Sequence, residues 1–244
     1  MNTIILAGEK PSPKENVLKN KALMKIKNKY MLEYVLDALR NVKAIDKIVA
    51  VGSKDKLEEA LGDKIDYVLE GTDSIVDNAI NALELFPDEK EALLMTCDIP
   101  MITVEAIEHF ITESRESGAD LTYCIVNKEL NDGRYPEVKR TYVKLKEGYF
   151  TGGNAFYLNP EIKDKVRDFF DKMLENRKNP VKMAAILGLG FVLRLALGTL
   201  TINAIKDKVD KLLGINAAVI ISPYPEIGND VDKESDIKFV EKYL

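Results

Sequence analysis

"EALLMTCDIPMITVEAIEHF", residues 91–110, is the stretch on which the fold turns. An apolar run ends on Cys97 and a lone carboxylate, Asp98. Pro100 then fixes the chain, and from Thr103 onward apolar residues recur at helical spacing. A buried strand normally keeps its carboxylates outside. An aspartate at the carboxyl end of such a strand lies where α/β sheets bind their ligands. Its desolvation there is costly unless a cation or hydrogen bonds compensate it. Thr103, directly before the helical pattern, is the better N-cap, which leaves Asp98 free to hold a metal.

Outward from that stretch the same unit recurs. Strands are predicted over 2–7, 47–52, 65–71, 91–98 and 120–126, and helices over 30–39, 54–61, 74–86 and 103–117. Strict strand–helix alternation with short connections means a mostly parallel sheet covered on both faces. The loops after Ala7, Val51, Leu69 and Cys97 then share one functional rim. The second half differs. Residues 141–158 read as two strands flanking a Gly-rich turn, and 160–213 as several helices. One of these starts on Asn179 and Pro180 and stops at Gly188; another, over 201–214, is closed by Gly214. A strand over 217–222 and a helix over 234–244 follow. With no repeat and no low-complexity linker, the expectation is one domain, 1–244, with a helical insertion at about 160–213.

Composition narrows the chemistry. The net charge of −5 argues against a general nucleic-acid binder. Cys97 and Cys124 fall at strand-like positions and read as buried, reduced thiols. The single histidine, His109, lies in a helical pattern and is expected on a helix surface; Ser-His-Asp and Cys-His catalysis need a positioned histidine, and zinc sites usually need more ligands. The chemistry must therefore run on carboxylates, lysines and backbone, with or without a hard metal. The apolar run of "MNTIILAGEK" is too short for a signal peptide and has no positive region before it, so the expected location is the cytoplasm. Residues 183–202 are about as long as a membrane span, but three glycines and Arg194 suit two packed helices better. Lys172, Arg177, Lys178 and Lys182 precede them, and a basic flank beside an apolar helix also suits peripheral contact with an anionic membrane. A contact between two copies, a homodimer, explains the apolar stretch equally well.

Two further features carry charge where it is informative. Between Lys10 and Lys29 there are seven lysines and one acid, Glu15, in an otherwise acidic chain. After a first strand, such a loop offers backbone N–H groups and point charges to phosphate; the alternative is a solvated, mobile loop. In "GNDVDKESDI", residues 228–237, Asp230 and Asp232 are two apart and point the same way if the chain is extended. Asp236 lies in the first turn of the last helix. The pair forms either a hydrated turn or a second carboxylate source that meets Asp98 across Mg²⁺.

"ILAGEK", "NKALMKIKNKYMLEYVLDAL", "LEGTDSIVDNAINAL", "TCDIP", "TGGN" and "DVDKESDI", in this order, resemble the sugar- and cofactor-type nucleotidyltransferases, and MobA-like NTP transferases most closely. The resemblance covers roughly three quarters of the chain and leaves the helical insertion outside it. It implies a three-layer α/β/α fold with a mostly parallel, Rossmann-like sheet of the nucleotide-diphospho-sugar transferase type. It implies a nucleoside triphosphate over the first loop, at Leu6, Ala7 and Gly8, and Mg²⁺ on Asp98 and Asp232. Lys21 would contact the phosphates; Ser74 and Asn78, with Gly71, match the segment beside the base; Gly153 and Asn154 match the segment facing the acceptor. One of Lys139, Arg140 and Lys144 would hold the acceptor's phosphate. The family's first loop reads LAGG with an arginine soon after. Here Glu9 and Lys10 follow Gly8; for turnover Lys10 or Lys14 would have to replace the arginine, and a chain in which neither does would be a binding relative.

The implied activity is Mg²⁺-dependent transfer of a nucleoside monophosphate to a phosphorylated small-molecule or lipid-linked acceptor, with pyrophosphate released. A glycosyltransferase on the same scaffold would carry a D-x-D pair where this chain has Asp98-Ile99-Pro100. A nucleotide-binding regulatory module with weak turnover is the non-enzyme alternative, motivated by Glu9 and the apolar insertion.

Overall fold

Side chains on successive strand residues point to opposite faces, and here both faces find an apolar layer. Ile5, Ile48, Ala50, Leu93 and Met95 pack into one cluster, while their neighbours Ile4, Val49, Val51 and Ala92 pack into another. A sheet with a core on each side is the centre of a three-layer α/β/α sandwich. The computed structural model describes residues 1–8, 20–176 and 179–244. Glu9, Lys10, Lys14, Arg177 and Lys178 lie outside the described residues.

Strand β1 (Asn2–Ala7) is followed by a single 3₁₀ turn (Lys21–Leu23) and a small hairpin of β2 (Lys25–Ile26) and β3 (Lys29–Tyr30). Then come α1 (Met31–Arg40), β4 (Ile48–Gly52), α2 (Lys54–Leu61), β5 (Tyr67–Glu70), α3 (Ile75–Leu83), β6 (Ala92–Thr96), α4 (Val104–Ser117) and β7 (Leu121–Asn127). The expected alternation is present throughout. Thr103 caps α4, accepting a hydrogen bond from the Ala106 N–H at 3.2 Å. Leu32, Val35, Leu36 and Leu39 of α1, Leu57 and Leu61 of α2, and Ile107 and Phe110 of α4 fill one layer. Ala82 and Leu83 of α3 contribute to the other.

The second half adds α5 (Lys128–Arg134), β8 (Val143–Leu145), β9 (Gly148–Leu158), α6 (Lys163–Asn176), α7 (Pro180–Leu187), α8 (Leu189–Ala196), α9 (Ile202–Leu213), β10 (Ala217–Ser222) and α10 (Glu234–Val240). Helix α5 is absent from the sequence reading, although Asn127 caps it by accepting from the Glu129 N–H at 2.7 Å. The helical stretch 160–213 is formed as expected, with α7 starting on its Asn179 cap and α9 ending at Gly214. Val166 of α6 and Leu213 of α9 join the layer that α3 covers. Among the described residues, no helix is long and apolar enough to cross a membrane.

Strand order in the main sheet is β10-β7-β9-β6-β1-β4-β5, with β8 paired to β9. All neighbours are parallel except at β9, which runs antiparallel to β6, β7 and β8. One expectation needs correction here. Gly152 and Gly153 do not form a turn between two strands; they lie inside β9, and the turn is made by Lys146 and Glu147. The glycines answer to packing instead. A Cβ on Gly152 would fall 2.1 Å from the Tyr123 hydroxyl, and one on Gly153 would fall 2.9 Å from Cys124 Cβ. Because β9 is reversed, its first half lies at the carboxyl ends of β6 and β7: Ala155 is opposite Met95, and Thr151 is opposite Val126.

Candidate active site

Asp98 sits two residues past the last residue of β6. Cys97 still donates its N–H to the Leu6 carbonyl at 3.3 Å, so the chain continues along β1 to the rim. Cys97 and Ile99 are buried on either side. By strand alternation the Asp98 carboxylate points the other way. The buried Cys97 thiol is pushed well above the usual range, first by burial and then by Asp98, and is inert as a nucleophile.

Opposite Asp98 lies the segment that carries Asp230 and Asp232. The Val231 N–H donates to the Asp98 carbonyl at 2.8 Å. Val231 itself is fully buried with Ile26, Met31, Met101 and Tyr135, so the flanking aspartates face away from that cluster, as expected for an extended segment. Every part of the segment is anchored. Glu226 accepts from the Thr103 hydroxyl at 2.9 Å, the Ile227 carbonyl from Asn154 at 3.1 Å, and the Asn229 side chain donates to Asn131 at 2.9 Å. Beyond it, Asp236 accepts from the N–H groups of Asp232 and Lys233, both at 3.0 Å.

Lys21 closes the constellation. It lies in the 3₁₀ turn after β1, held down by the buried Ala22. Its ammonium donates to Asp98 Oδ2 at 2.9 Å and to Asp232 Oδ1. Arg140 pairs with Asp230 in the same way, and both of these side chains are largely buried. Asp98, Asp230 and Asp232 each bring one carboxylate oxygen within 4.8 Å of the others. Burial works against charge on Lys21, but Asp98 and Asp232 outweigh it and hold its pKa well above the usual value. For Asp232, burial would raise the carboxyl, yet the Lys21 hydrogen bond and charge hold it below the usual range. Asp230 goes the other way: burial raises it more than Arg140 lowers it.

These side chains fit a hard divalent cation. Asp98 Oδ1 is buried with no hydrogen-bond partner among the described residues, beside two further carboxylates. Oxygen donors of this kind suit Mg²⁺.

The remaining candidates fall into three groups. Gly8 follows β1 at the rim, where a Cβ would lie 3.7 Å from Asn78 Nδ2; Leu6 and Ala7 end the strand before it. Gly71 donates to the Gly52 carbonyl at 2.7 Å and lies too close to Gly52 for comfortable accommodation of a side chain. Asn78 is buried and committed to Thr72, accepting from its N–H at 2.6 Å and donating to its carbonyl at 3.0 Å, so it braces the loop after β5. Ser74 caps α3. Lys139 is exposed. The stem of Lys144 packs instead against Gly198, and its ammonium lies 5.9 Å from the Tyr149 ring centre. The sequence reading missed Glu226, Asn229 and Asn131. Asn131 lies on α5, whose Asn127 cap was the available signal.

A family model, the MobA-like NTP transferase domain, matches residues 3–179. The chain belongs to the MobA-like NTP transferase family. The match stops before Asp230 and Asp232, so those carboxylates rest on the geometry. The family sheet is the one seen here, mostly parallel with flanking helices, of the nucleotide-diphospho-sugar transferase type. A solved structure from Thermus thermophilus, described as a hypothetical transferase, is 33% identical, with a TM-score of 0.85, covering 97% of this chain and 98% of that one. The bifunctional protein GlmU of Thermoanaerobacter pseudethanolicus is 29% identical over 114 residues, 46% of this chain and 24% of that protein. A probable molybdenum cofactor guanylyltransferase from Thermococcus gammatolerans is 31% identical over 114 residues, 43% of this chain and 53% of its own. The chain thus matches about a quarter to a half of the length of these two relatives.

Proposed function

We propose that the MobA-like domain transfers a nucleoside monophosphate from a nucleoside triphosphate to a phosphorylated acceptor, releasing pyrophosphate. The observation that carries this reading is the cluster of Asp98, Asp230 and Asp232, with Lys21 and Arg140, at the carboxyl rim of the sheet. The relative described as a guanylyltransferase is named for a reaction of this class. In the reaction, an acceptor phosphate oxygen bonds to the α-phosphorus as the bond to the bridging oxygen of the β-phosphate breaks. Two anions must meet, so charge neutralisation and alignment dominate over proton transfer. Asp98 and Asp232 would hold Mg²⁺, with Asp230 beside them, and the ion would supply charge neutralisation at the phosphoryl oxygens. Lys21, whose charge is secure at any working pH, offers its ammonium to the triphosphate. Arg140 anchors Asp230 beside the acceptor side of the rim, where Asn154 pins the same segment.

The test is incubation with each of the four common nucleoside triphosphates, Mg²⁺ and a panel of sugar, alcohol and cofactor phosphates, reading pyrophosphate. Release that depends on one triphosphate and one acceptor is expected. Nucleotide binding without pyrophosphate for any acceptor would instead mark a regulatory module.

A further inference from the structure

The four most exposed large apolar side chains among the described residues all belong to α7, α8 and the residue that ends α8. They are Val181 (77% exposed), Leu197 (71%), Leu189 (66%) and Leu193 (52%). Leu189, Leu193 and Leu197 are spaced four apart, so they form one stripe along α8. Val181 and the exposed Ala185 repeat that spacing on α7. The stripes are a property of helices that are otherwise docked. Phe191 and Leu195 of α8 pack with Leu145, Phe150 and Leu200 against the β8–β9 hairpin. The turn at Gly198 (φ 66°) lies on the stem of Lys144, and the Lys146 N–H donates to the Leu200 carbonyl at 2.9 Å. One side of α8 is therefore fixed to the body of the protein while the opposite side offers leucines to its surroundings.

The charge around the stripes identifies what covers them. The chain carries 40 acidic residues, yet none falls between Glu175 and Asp207, where Arg177, Lys178, Lys182, Arg194 and Lys206 supply only positive charge. Lys182 and Arg194 are exposed and sit next to Val181 and Leu193 in sequence. A two-fold contact with a second copy would set this patch against itself and bring like charges together. An anionic lipid surface complements both features, since it takes apolar side chains at the acyl boundary and attracts the cations beside them.

We propose that α7 and α8 form a docking surface for an anionic membrane. The helices lie on the bilayer surface with Val181, Leu189, Leu193 and Leu197 inserted and Lys182 and Arg194 at headgroup level. The proposal rests on the helices alone and is independent of the nucleotidyl-transfer reading.

Co-sedimentation of the full chain with vesicles tests it. Vesicles of equal parts phosphatidylcholine and phosphatidylglycerol should pellet the protein at least tenfold better than pure phosphatidylcholine. Raising the salt to about 0.5 M should weaken the binding, because screening shortens the reach of the cations. Leu189→Ser with Leu193→Ser and Leu197→Ser should abolish it. Lys182→Glu alone should reduce it by roughly fivefold or more, the share of one cation near a charged surface. All the substituted side chains are exposed, and an unchanged thermal unfolding curve for each variant establishes that the fold is kept. Equal pelleting with neutral and anionic vesicles, or unchanged binding by the leucine variant, would overturn the proposal. So would a wild-type chain that sediments as a dimer and becomes a monomer on the leucine substitutions, since a second copy would then cover the face.

Discussion

Asp98 Oδ2 accepts from Lys21 at 2.9 Å, while Oδ1 is buried without a hydrogen-bond partner among the described residues. One oxygen is thus held in place and, on the proposed reading, the other takes a ligand, so removing the charge should cost activity far more than it costs the fold. Asp98→Asn is expected to lower pyrophosphate release by roughly 10³-fold, the scale of losing a group that stabilises transition-state charge. Near wild-type release would sink the assignment. A second residue tests the electrostatics of the scaffold rather than the site. Asp66 accepts from the Ile48 N–H at 2.9 Å and pairs with Arg40 at 2.7 Å and Lys47 at 3.6 Å. Burial would raise its carboxyl, but these partners hold it below the usual range. A depressed folded-state pKa means the stabilisation is complete above the unfolded value of about 3.9 and is lost as pH falls through the folded value. Asp66→Asn should therefore lie below wild type in urea unfolding at pH 7, and the gap should narrow by pH 3. An equal gap at both pH values would contradict this account.

At the level of elements, β9 is where local pattern and tertiary demand part. Two adjacent glycines between polar residues read locally as a turn. The pattern cannot show that Tyr123, stacked on Phe156 at 4.5 Å between ring centres, pushes its hydroxyl into the space above Gly152. Gly152→Ala should destabilise by about 1–3 kcal/mol, the usual cost of overpacking. Adding Tyr123→Phe should recover most of that loss; no recovery would mean that strain of another origin governs the position. The helices and parallel strands of the first half were legible because each carries its own periodicity, and α3 and α4 also carry caps at Ser74 and Thr103. Lys21, Asp98 and Asp232 were legible because each sits in a recognisable motif beside a strand or helix end. Asn131 and Asn229 were not, since their meaning is a mutual hydrogen bond across 98 residues. Neither asparagine reports on the other from its own neighbourhood. The polarity of β9 was hidden for a related reason. An eleven-residue strand has the same alternation in either direction, and only its pairing with β6 and β7 fixes which end reaches the rim.

Across the whole molecule, the reversed strand divides the sheet between two tasks. Strands β1, β4, β5 and β6 form the parallel half whose rim carries Gly8, Gly71 and Asp98. Beyond β9, β7 and β10 lead the chain toward the segment with Asp230 and Asp232. The apolar helices hang from the β8–β9 hairpin on that second half. The hydrogen bond from Val231 to the Asp98 carbonyl joins the halves at the site, beside the bonds from Lys21 to Asp98 and Asp232. Its partners stand 133 residues apart in the chain, so the charged cluster is a product of closure rather than of any one folding unit. Local opening in proteins needs less free energy than global unfolding. Release of residues 226–232 would dismantle the cluster and withdraw Ile227 from one apolar layer and Val231 from its smaller cluster, while the helices and strands of both layers keep their remaining contacts. Catalysis should therefore fail at a lower urea concentration than far-ultraviolet circular dichroism does, and coincident transitions would show that the segment melts only with the core. On the expected outcome this segment is a latch: the protein would be folded and inactive, and what would separate that state from the working one is the docking of seven residues.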